Sequence, residues 1–264
     1  MALTFVERCA VEDEGDGQAV VCVHGLGGTS NTFTPLMPVL ARHRVVRIDL
    51  AGSGRSQRAE GPLSMARYAD LVQSACARLN VARAHFVGHS MGNIVLQHVA
   101  VQAPKLVAGL ALFGPLIAPP DSARAAIRAR GDKARREGAT GMHEIALALL
   151  NASISADTRA RLPLAVAFVR ESLMRQDPDG YARSCDALAD APAAAVEAIE
   201  APVLLVTGDE DAVAPPQAVR AMAERLHRAR SVRVVVLPKC GHWTPVERPE
   251  ECARELRGHL EVQR

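Results

Sequence analysis

The chain has 264 residues, 48% of them hydrophobic, and its 31 basic residues nearly balance its 29 acidic ones. This length fits one large α/β domain or a domain with a sizeable insertion, and the hydrophobic fraction is enough for a substantial core. Because no long run of one charge sign occurs, the sequence indicates neither nucleic acid nor a membrane surface as a partner.

The amino-terminal segment and the cysteines bear on cellular location. Residues 1–18 are acidic and lack a basic region followed by an apolar one, and no later stretch reaches the roughly 18 continuous apolar residues of a membrane span. The six cysteines are scattered without a CxxC pair, which indicates buried reduced thiols and argues against a zinc site or a disulfide framework. We therefore expect a cytoplasmic protein.

Short apolar runs rich in valine and leucine alternate with longer helical patterns along most of the chain. This alternation predicts an α/β fold with a doubly wound, mostly parallel sheet that helices cover on both faces. The expected strands are Ala19 to Val23, Arg44 to Ile48, Ala84 to Val87, Val107 to Phe113, Pro202 to Thr207 and Ser231 to Leu237. The expected helices are Thr32 to Leu40, Ser64 to Leu79, Met91 to Ala103, Pro216 to Leu226 and Pro249 to Leu260.

The alternation stops between residues 117 and 196, where four helical stretches follow one another without a convincing strand. The first has Asp121 as a candidate N-cap, and the later ones run from Asp157 to Arg175, with a break near Pro163, and from Pro178 to Leu188. The second places five apolar residues on one face: Met142, Ile145, Ala146, Leu149 and Leu150. We expect residues 1–116 and 197–264 to form the core domain, and residues 117–196 to form a helical cap inserted over the sheet.

The pentapeptide Gly88-His89-Ser90-Met91-Gly92 lies between an expected strand and an expected helix. It fits the G-x-S-x-G pattern of a nucleophile elbow, in which a strained turn lifts the serine above the carboxyl edge of the sheet, at a helix amino terminus. Glycine on both sides avoids collisions with the neighbouring strand and helix. Three fixed positions recur by chance in about one chain in ten of this length, so a plain structural turn is the alternative until partners are found.

A serine hydroxyl becomes a strong nucleophile when a base removes its proton and an acid orients that base. Asp211 and His242 each follow an expected strand, and the chain order Ser90, Asp211, His242 is the one expected for a nucleophile elbow on such a sheet. Asp209 is a rival for the acid, and either aspartate could instead cap the following helix. Three other histidines are interpreted as structural or lining residues: His24, His85 and His89.

Two backbone N–H groups are needed to hold the oxyanion of an acyl-transfer intermediate. Met91 follows the candidate nucleophile and would supply the first, and Leu26, in the loop "HGLGG" after the first expected strand, would supply the second. This loop does not fit a phosphate cradle, because neither GxxxxGK[ST] nor GxGxxG is present. A plain turn is the remaining alternative.

Together these features resemble the α/β-hydrolase superfamily over nearly the whole chain. The segment "DLAGSGRS" from Asp49 to Ser56 is similar to that family's D-x-x-G-x-G-x-S loop, and Asn93 departs from the glycine that is common after G-H-S-M-G. The phrases "DPDGYARSCDALADA" and "PKCGHWTPVERPEE" are most similar to 3-oxoadipate enol-lactonases and the esterases grouped with them. The resemblance implies an α/β-hydrolase fold and cofactor-free hydrolysis of a small acidic lactone.

The resulting hypothesis is a serine hydrolase that cleaves a small carboxylic ester or lactone through an acyl-enzyme. Ser90 would attack, His242 would act as base and then acid, and Asp211 would orient the imidazole. This mechanism requires no metal and no organic cofactor. Fold position assigns four side chains to the substrate pocket, together with the inner face of the cap: Phe33, Phe113, Leu116 and Trp243.

Residues 121–138 carry six basic side chains against three acidic ones. The basic ones are Arg124, Arg128, Arg130, Lys133, Arg135 and Arg136. A substrate carboxylate could be drawn to such a helix, but a solvated outer face is the simpler interpretation, and no single arginine is assigned to substrate.

Other activities remain open alternatives for the same residues. Carbon-carbon bond hydrolases and cofactor-free perhydrolases or haloperoxidases use a similar constellation, and a ligand receptor could retain a slow version of it. A dehalogenase is disfavoured because that chemistry uses an aspartate where this chain has Ser90.

Overall fold

The computed structural model describes residues 2–56 and 61–261, and eight strands in this part of the chain form one sheet. The strands are β1 (Ala2–Val6), β2 (Cys9–Glu14), β3 (Ala19–Val23), β4 (Arg44–Ile48), β5 (Ala84–His89), β6 (Val107–Phe113), β7 (Val203–Gly208) and β8 (Val232–Leu237). Their order across the sheet is β1-β2-β4-β3-β5-β6-β7-β8.

The strands from β3 to β8 pair in parallel and correspond closely to the six expected from the sequence. Their runs of valine and leucine reflect burial on both faces of the sheet. β1 and β2 form an antiparallel hairpin at one edge, with β2 antiparallel to β4, and the sequence analysis did not anticipate them. The hairpin was missed because it lies at the exposed edge of the sheet and lacks a continuous apolar run. Leu3 and Phe5 face outward, and β2 ends in the acidic run "EDE".

The helices are α1 (Met37–Leu40), α2 (Met65–Arg78), α3 (Met91–Gln102), α4 (Asp121–Ser153), α5 (Ala156–Arg161), α6 (Pro163–Met174), α7 (Pro178–Ala189), α8 (Pro216–Arg225), α9 (Thr244–Glu247) and α10 (Pro249–Glu261). Helix α2 begins where the Ser64 hydroxyl accepts a hydrogen bond from the Arg67 N–H at 3.1 Å, which satisfies one free donor of the first turn. The helix expected from Thr32 instead opens as a 3₁₀ turn, Ser30–Leu36, that leads into α1.

Helices α4 to α7 follow one another between β6 and β7, and no strand occurs within residues 117–196. Gly138, with φ 58° and ψ −134°, breaks α4 into two helical stretches, as the sequence pattern suggested. The N-cap assignment of Asp121 was wrong. Pro120 occupies the cap position, and Asp121 is the first helical residue, where an acid is favourable because the first turn has free N–H groups. Its carboxylate also pairs with Arg124 at 3.1 Å.

Two apolar clusters form the core, one on each face of the sheet. The alternation is visible in β6, where Leu110 and Leu112 join the larger cluster, and Ala111 and Phe113 join the smaller one. The larger cluster continues from the sheet into the helices between β6 and β7, so this segment shares the core of the sheet.

In the portion of the chain that the structure describes, no helix is long and apolar enough to cross a membrane. All six cysteines are buried free thiols. This finding agrees with their interpretation as reduced, buried side chains.

Candidate active site

Ser90 lies in the sharp turn that ends β5 and begins α3. Its backbone has φ 52° and ψ −121°, a region that costs a residue other than glycine on the order of 1–3 kcal/mol. Two hydrogen bonds hold this conformation: the Ser90 N–H donates to the Phe113 carbonyl at 3.0 Å, and the Asn93 N–H donates to the Ser90 carbonyl at 2.8 Å. The turn therefore presents the Ser90 side chain at the carboxyl edge of the sheet.

Glycine is required on both sides of this turn because other groups approach closely. A Cβ at Gly92 would lie 2.1 Å from the carbonyl oxygen of Val23, and one at Gly88 would lie 2.4 Å from Oδ1 of Asn93. Asn93, which departs from the family pattern, donates from Nδ2 to the Phe113 carbonyl at 2.7 Å. Its side chain thus links α3 to the end of β6, on the same carbonyl that holds Ser90.

The imidazole of His242 lies between Ser90 and Asp211. Its Nε2 is 2.8 Å from the Ser90 Oγ, and its Nδ1 is 2.9 Å from Oδ2 and 3.1 Å from Oδ1 of Asp211. In this arrangement Nδ1–H donates to the carboxylate, and Nε2 is free to accept the serine proton. Because β5, β7 and β8 are parallel, the three side chains that follow their carboxyl ends meet at one edge of the sheet.

Hydrogen bonds keep the Asp211 carboxyl ionised. Burial acts to raise its pKa, but His242 and the N–H groups of Val213 and Ala214, both at 2.8 Å, hold the pKa below its usual value. The rival Asp209 is exposed and accepts a hydrogen bond from the Cys240 N–H at 3.1 Å. The structure therefore brings Asp211, and not Asp209, to the imidazole.

A buried glutamate that the sequence analysis missed holds the loop around His242. The Glu247 carboxylate, 1% exposed, accepts the N–H groups of Gly241 and Trp243, both at 3.0 Å. It also accepts the Ser155 N–H and the Thr158 hydroxyl, both at 2.9 Å, from the segment between β6 and β7. The only signal in the sequence was an acidic residue within the short apolar phrase "WTPVERP".

The other histidines near the site hold backbone. The neutral ring of His24 donates from Nδ1 to the Gly25 carbonyl at 2.7 Å and accepts the Leu50 N–H at Nε2 at 2.9 Å. His89 donates from Nε2 to the His242 carbonyl at 2.9 Å, and burial lowers its pKa to about 3. His85 lies away from the site, against His259.

The two backbone amides expected to hold an oxyanion are free of protein partners. Within residues 2–56 and 61–261, neither the Leu26 N–H nor the Met91 N–H donates to a protein acceptor. The "HGLGG" loop passes directly beside Ser90, since a Cβ at Gly25 would lie 2.7 Å from the Ser90 Cβ. Both donors are thus available to a ligand at this edge of the sheet.

A cavity of about 270 Å³ opens onto Ser90 and His242. Leu26, Leu116 and Trp243 line it, together with side chains of the helices between β6 and β7. Phe33 and Phe113 do not line it, which corrects their assignment to the pocket. Both are fully buried in the smaller apolar cluster, on the opposite face of the sheet from the larger one. No group of three or more metal-ligating side chains occurs in the described residues.

Residues 18–249 match a family described as the alpha/beta hydrolase fold. A curated relative from Acinetobacter baylyi, named (E)-2-((N-methylformamido)methylene)succinate hydrolase, is 22% identical over 254 residues, which cover 95% of this chain and 93% of the relative. The match therefore extends over both the sheet and the helical segment between β6 and β7.

Two solved structures are similar over nearly their full length. A thermophilic esterase from Thermogutta terrifontis, solved with malate bound, has a TM-score of 0.89 at 28% identity and covers 97% of this chain and 93% of its own. The enol-lactonase from Burkholderia xenovorans LB400 has a TM-score of 0.87 at 25% identity and covers 98% of this chain and 100% of its own.

Proposed function

The chain belongs to the alpha/beta hydrolase fold family, as its sequence resemblance implied, and from this premise we propose that it is a serine hydrolase of small carboxylic esters or lactones. The single observation that supports this most strongly is the pair of hydrogen bonds at His242, one accepted from the Ser90 hydroxyl at 2.8 Å and one donated to Asp211 at 2.9 Å. An imidazole held between a hydroxyl and a carboxylate is the arrangement that activates a serine. The esterase and enol-lactonase among its structural relatives agree with this assignment.

The first half of the reaction forms an acyl-enzyme. His242 takes the proton of Ser90 at Nε2 while Oγ attacks the substrate carbonyl, and the N–H groups of Leu26 and Met91 hold the developing oxyanion. The imidazolium then protonates the leaving alcohol, or the ring oxygen of a lactone, as the bond to it breaks. Asp211 stabilises the imidazolium throughout, because its pKa keeps it ionised at neutral pH.

The second half releases the acid. His242 removes a proton from a water molecule, which attacks the acyl carbon, and the same two amides hold the second oxyanion. Ser90 leaves with a proton returned by His242, so one water is consumed for each ester cleaved. All of these steps use groups of this chain and water.

We also propose that residues 117–196 act as a cap that closes the substrate cavity. Leu149, Leu173 and Tyr181 from this segment line the same cavity as Ser90. Apolar walls of this kind exclude water and strengthen the electrostatic interactions at the reacting carbonyl.

The proposal is tested by turnover on a panel of short-chain alkyl esters, aryl esters and lactones. Wild type is expected to hydrolyse members of this panel, and Ser90→Ala should lose roughly a millionfold in kcat, to the level of background. Ser122→Ala, at an exposed serine in α4, removes the same hydroxyl outside the cavity and should retain wild-type rates. Equal activity of Ser90→Ala and wild type would contradict the proposal.

The same enzyme preparations separate the alternative activities. A vinylogous diketone tests for carbon-carbon hydrolysis, and peroxide with acetate and bromide tests for perhydrolysis. If the diketone or the peroxide reaction turned over much faster than any ester, that reaction would replace ester hydrolysis as the proposed activity. Saturable ligand binding with turnover far below that of ordinary enzymes would instead indicate a receptor.

A further inference from the structure

The basic half of α4 divides into paired residues and one exception. Five of its six basic side chains form ion pairs: Arg124 with Asp121, Arg128 with Asp190, Lys133 with Glu137 and Glu144, Arg135 with Asp132 and Asp186, and Arg136 with Glu137. Arg130 forms no ion pair with a carboxylate in the described part of the chain. A carboxylate that neutralises Arg130 would therefore have to come from outside these residues.

Arg130 lines the cavity, and only part of its side chain reaches solvent. It lies on the buried stripe of α4, three residues after Ile127 and four before Ala134, and it lines the cavity that opens onto Ser90 and His242. Its Nε is fully buried and has no hydrogen-bond partner. The helix thus brings a guanidinium, which is always charged in proteins, to the wall of a mostly apolar cavity.

The groups around this guanidinium are neutral. Arg130 interacts electrostatically with the Tyr181 phenol and the Cys185 thiol of α7, the helix packed against α4 at this level, and the thiol is also a weak hydrogen-bonding partner for it. Burial raises the pKa of Cys185 to about 11 and raises that of Tyr181 further above its usual value, so neither supplies a negative charge near neutral pH. Tyr181 lines the cavity, and its buried hydroxyl has only the Cys185 thiol, a weak hydrogen-bonding group, beside it.

A buried cation without a counter-ion is unfavourable, and it becomes favourable when an anion with good geometry joins it. The planar guanidinium matches a carboxylate better than any other side chain does, because it offers two parallel N–H donors. The Tyr181 hydroxyl adds a third donor at the same wall. An anion inside the cavity would supply the counter-ion that Arg130 lacks among the described residues.

From these observations we propose that Arg130 and Tyr181 bind a carboxylate of the substrate, at a position away from the reacting carbonyl. An ester or lactone with a second, ionised carboxyl group would then be preferred, as the sequence resemblance also implied, and the new element is the pair of residues that would select it. This inference rests on the proposed function, since it takes the cavity beside Ser90 as the substrate site. The selectivity for an acidic substrate is thereby assigned mainly to Arg130, since the other basic side chains of residues 121–138 form ion pairs with carboxylates.

The test compares matched acidic and neutral esters. The acidic set contains the monomethyl esters of succinic, glutaric and adipic acid, and the neutral set contains the same esters with the free carboxyl converted to a primary amide. For the best chain length, wild type should show a kcat/KM at least about tenfold higher for the acid than for its amide. Arg130→Met should abolish this preference by lowering kcat/KM for the acid, with the amide changed by less than about threefold.

Two further variants make the comparison specific. Arg128→Met removes the same charge from the same helix at an exposed residue paired with Asp190, and it should retain the preference for the acid. Tyr181→Phe keeps the ring and removes the hydroxyl, and it should reduce the preference partially. If Arg130→Met does not fold, Tyr181→Phe and the wild-type comparison decide.

The outcomes separate this inference from the proposed function. Ser90-dependent hydrolysis of these esters would support the proposed function whatever their charge. The inference would still be wrong if wild type treated acids and amides alike, or if Arg128→Met abolished the preference for the acid. It would also be wrong if Arg130→Met lowered kcat/KM equally for the acid and the amide. If neither these esters nor the panel of alkyl esters, aryl esters and lactones is hydrolysed, the proposed function fails, and calorimetric titration with glutarate decides the inference. Binding that Arg130→Met weakens and Arg128→Met preserves would support it, and absence of binding would overturn it.

Discussion

Two aspartates of the same loop occupy very different surroundings. Asp211 is 2% exposed and receives hydrogen bonds from His242, Val213 and Ala214, whereas Asp209 is exposed and receives one from Cys240. The backbone donors fix the orientation of the Asp211 carboxylate before any substrate binds. This difference separates a carboxylate able to orient the imidazole from one that closes a turn.

Asp211→Asn should fold normally and lose roughly ten-thousandfold in kcat, because an amide at this position favours the wrong tautomer of His242. Asp209→Asn is the matched control and should retain activity within about tenfold, since it alters only the hydrogen bond to Cys240. Steady-state kinetics on the same ester measure both. A larger loss for Asp209→Asn than for Asp211→Asn would transfer the role of the acid to Asp209.

The residues that follow strand ends could be predicted, whereas those that line the cavity could be predicted only in part. Ser90, Asp211 and His242 each follow an apolar run, and parallel strands bring such positions to one edge. Phe113 lies in a strand that is buried on both faces, so its sequence gives no alternation to show which face it takes. Arg130 would have been identified only by placing it on the stripe that Ile127 and Ala134 define.

At the scale of elements, the loop that carries His242 is tied to the helices between β6 and β7. The His242 N–H donates to the Ser153 carbonyl at 2.7 Å, and Glu247 bonds to both the loop and the segment from Ser155 to Thr158. The imidazole therefore depends for its position on a segment far away in sequence. A change in this helical segment would be transmitted to the imidazole through these bonds.

Glu247→Gln should lower kcat by about ten- to a hundredfold with little change in KM, because a neutral amide cannot accept all four hydrogen bonds and leaves buried N–H groups unsatisfied. Steady-state kinetics and thermal unfolding measure the two effects separately. Glu250→Gln, at an exposed neighbour, should leave both unchanged. A variant with wild-type kcat would show that Glu247 has only a structural role.

The six parallel strands and most helices followed from the alternation of apolar runs with helical patterns, because burial on both faces demands continuous hydrophobic strands. The hairpin of β1 and β2 did not follow. An edge hairpin needs neither a long apolar run nor a strong turn signal, and here its connection uses Glu7 and Arg8 at positive φ, which glycine or asparagine would ordinarily occupy. Its pairing with β4 is a long-range contact that local sequence does not encode.

For the whole molecule, three buried histidines make stability depend on pH. Burial lowers the pKa of His85 and His259 to about 4 and that of His89 to about 3, against an ordinary value of 6.5. Below 6.5 the unfolded chain takes up protons that the folded chain does not, so these residues favour unfolding progressively as the pH falls toward 4. Well above pH 6.5 these histidines are neutral in both the folded and the unfolded chain, and the effect disappears.

The free energy of unfolding should therefore fall between about pH 7 and pH 5, by on the order of 1 kcal/mol for each of these histidines. Replacing His85 and His259 together by leucine should make urea unfolding less dependent on pH over this range. His227→Gln, at an exposed residue, should leave the pH dependence as in wild type. An unchanged pH dependence in the double variant would contradict the burial argument.

The activation of Ser90 by His242 is tested most directly by mapping the site of a serine-directed fluorophosphonate with peptide mass spectrometry. The adduct is expected on the peptide that contains Ser90, at a rate that His242→Asn lowers by at least about a hundredfold. Ser90→Ala should carry no adduct. An adduct on another residue, or labelling of Ser90→Ala at the wild-type rate, would contradict the account.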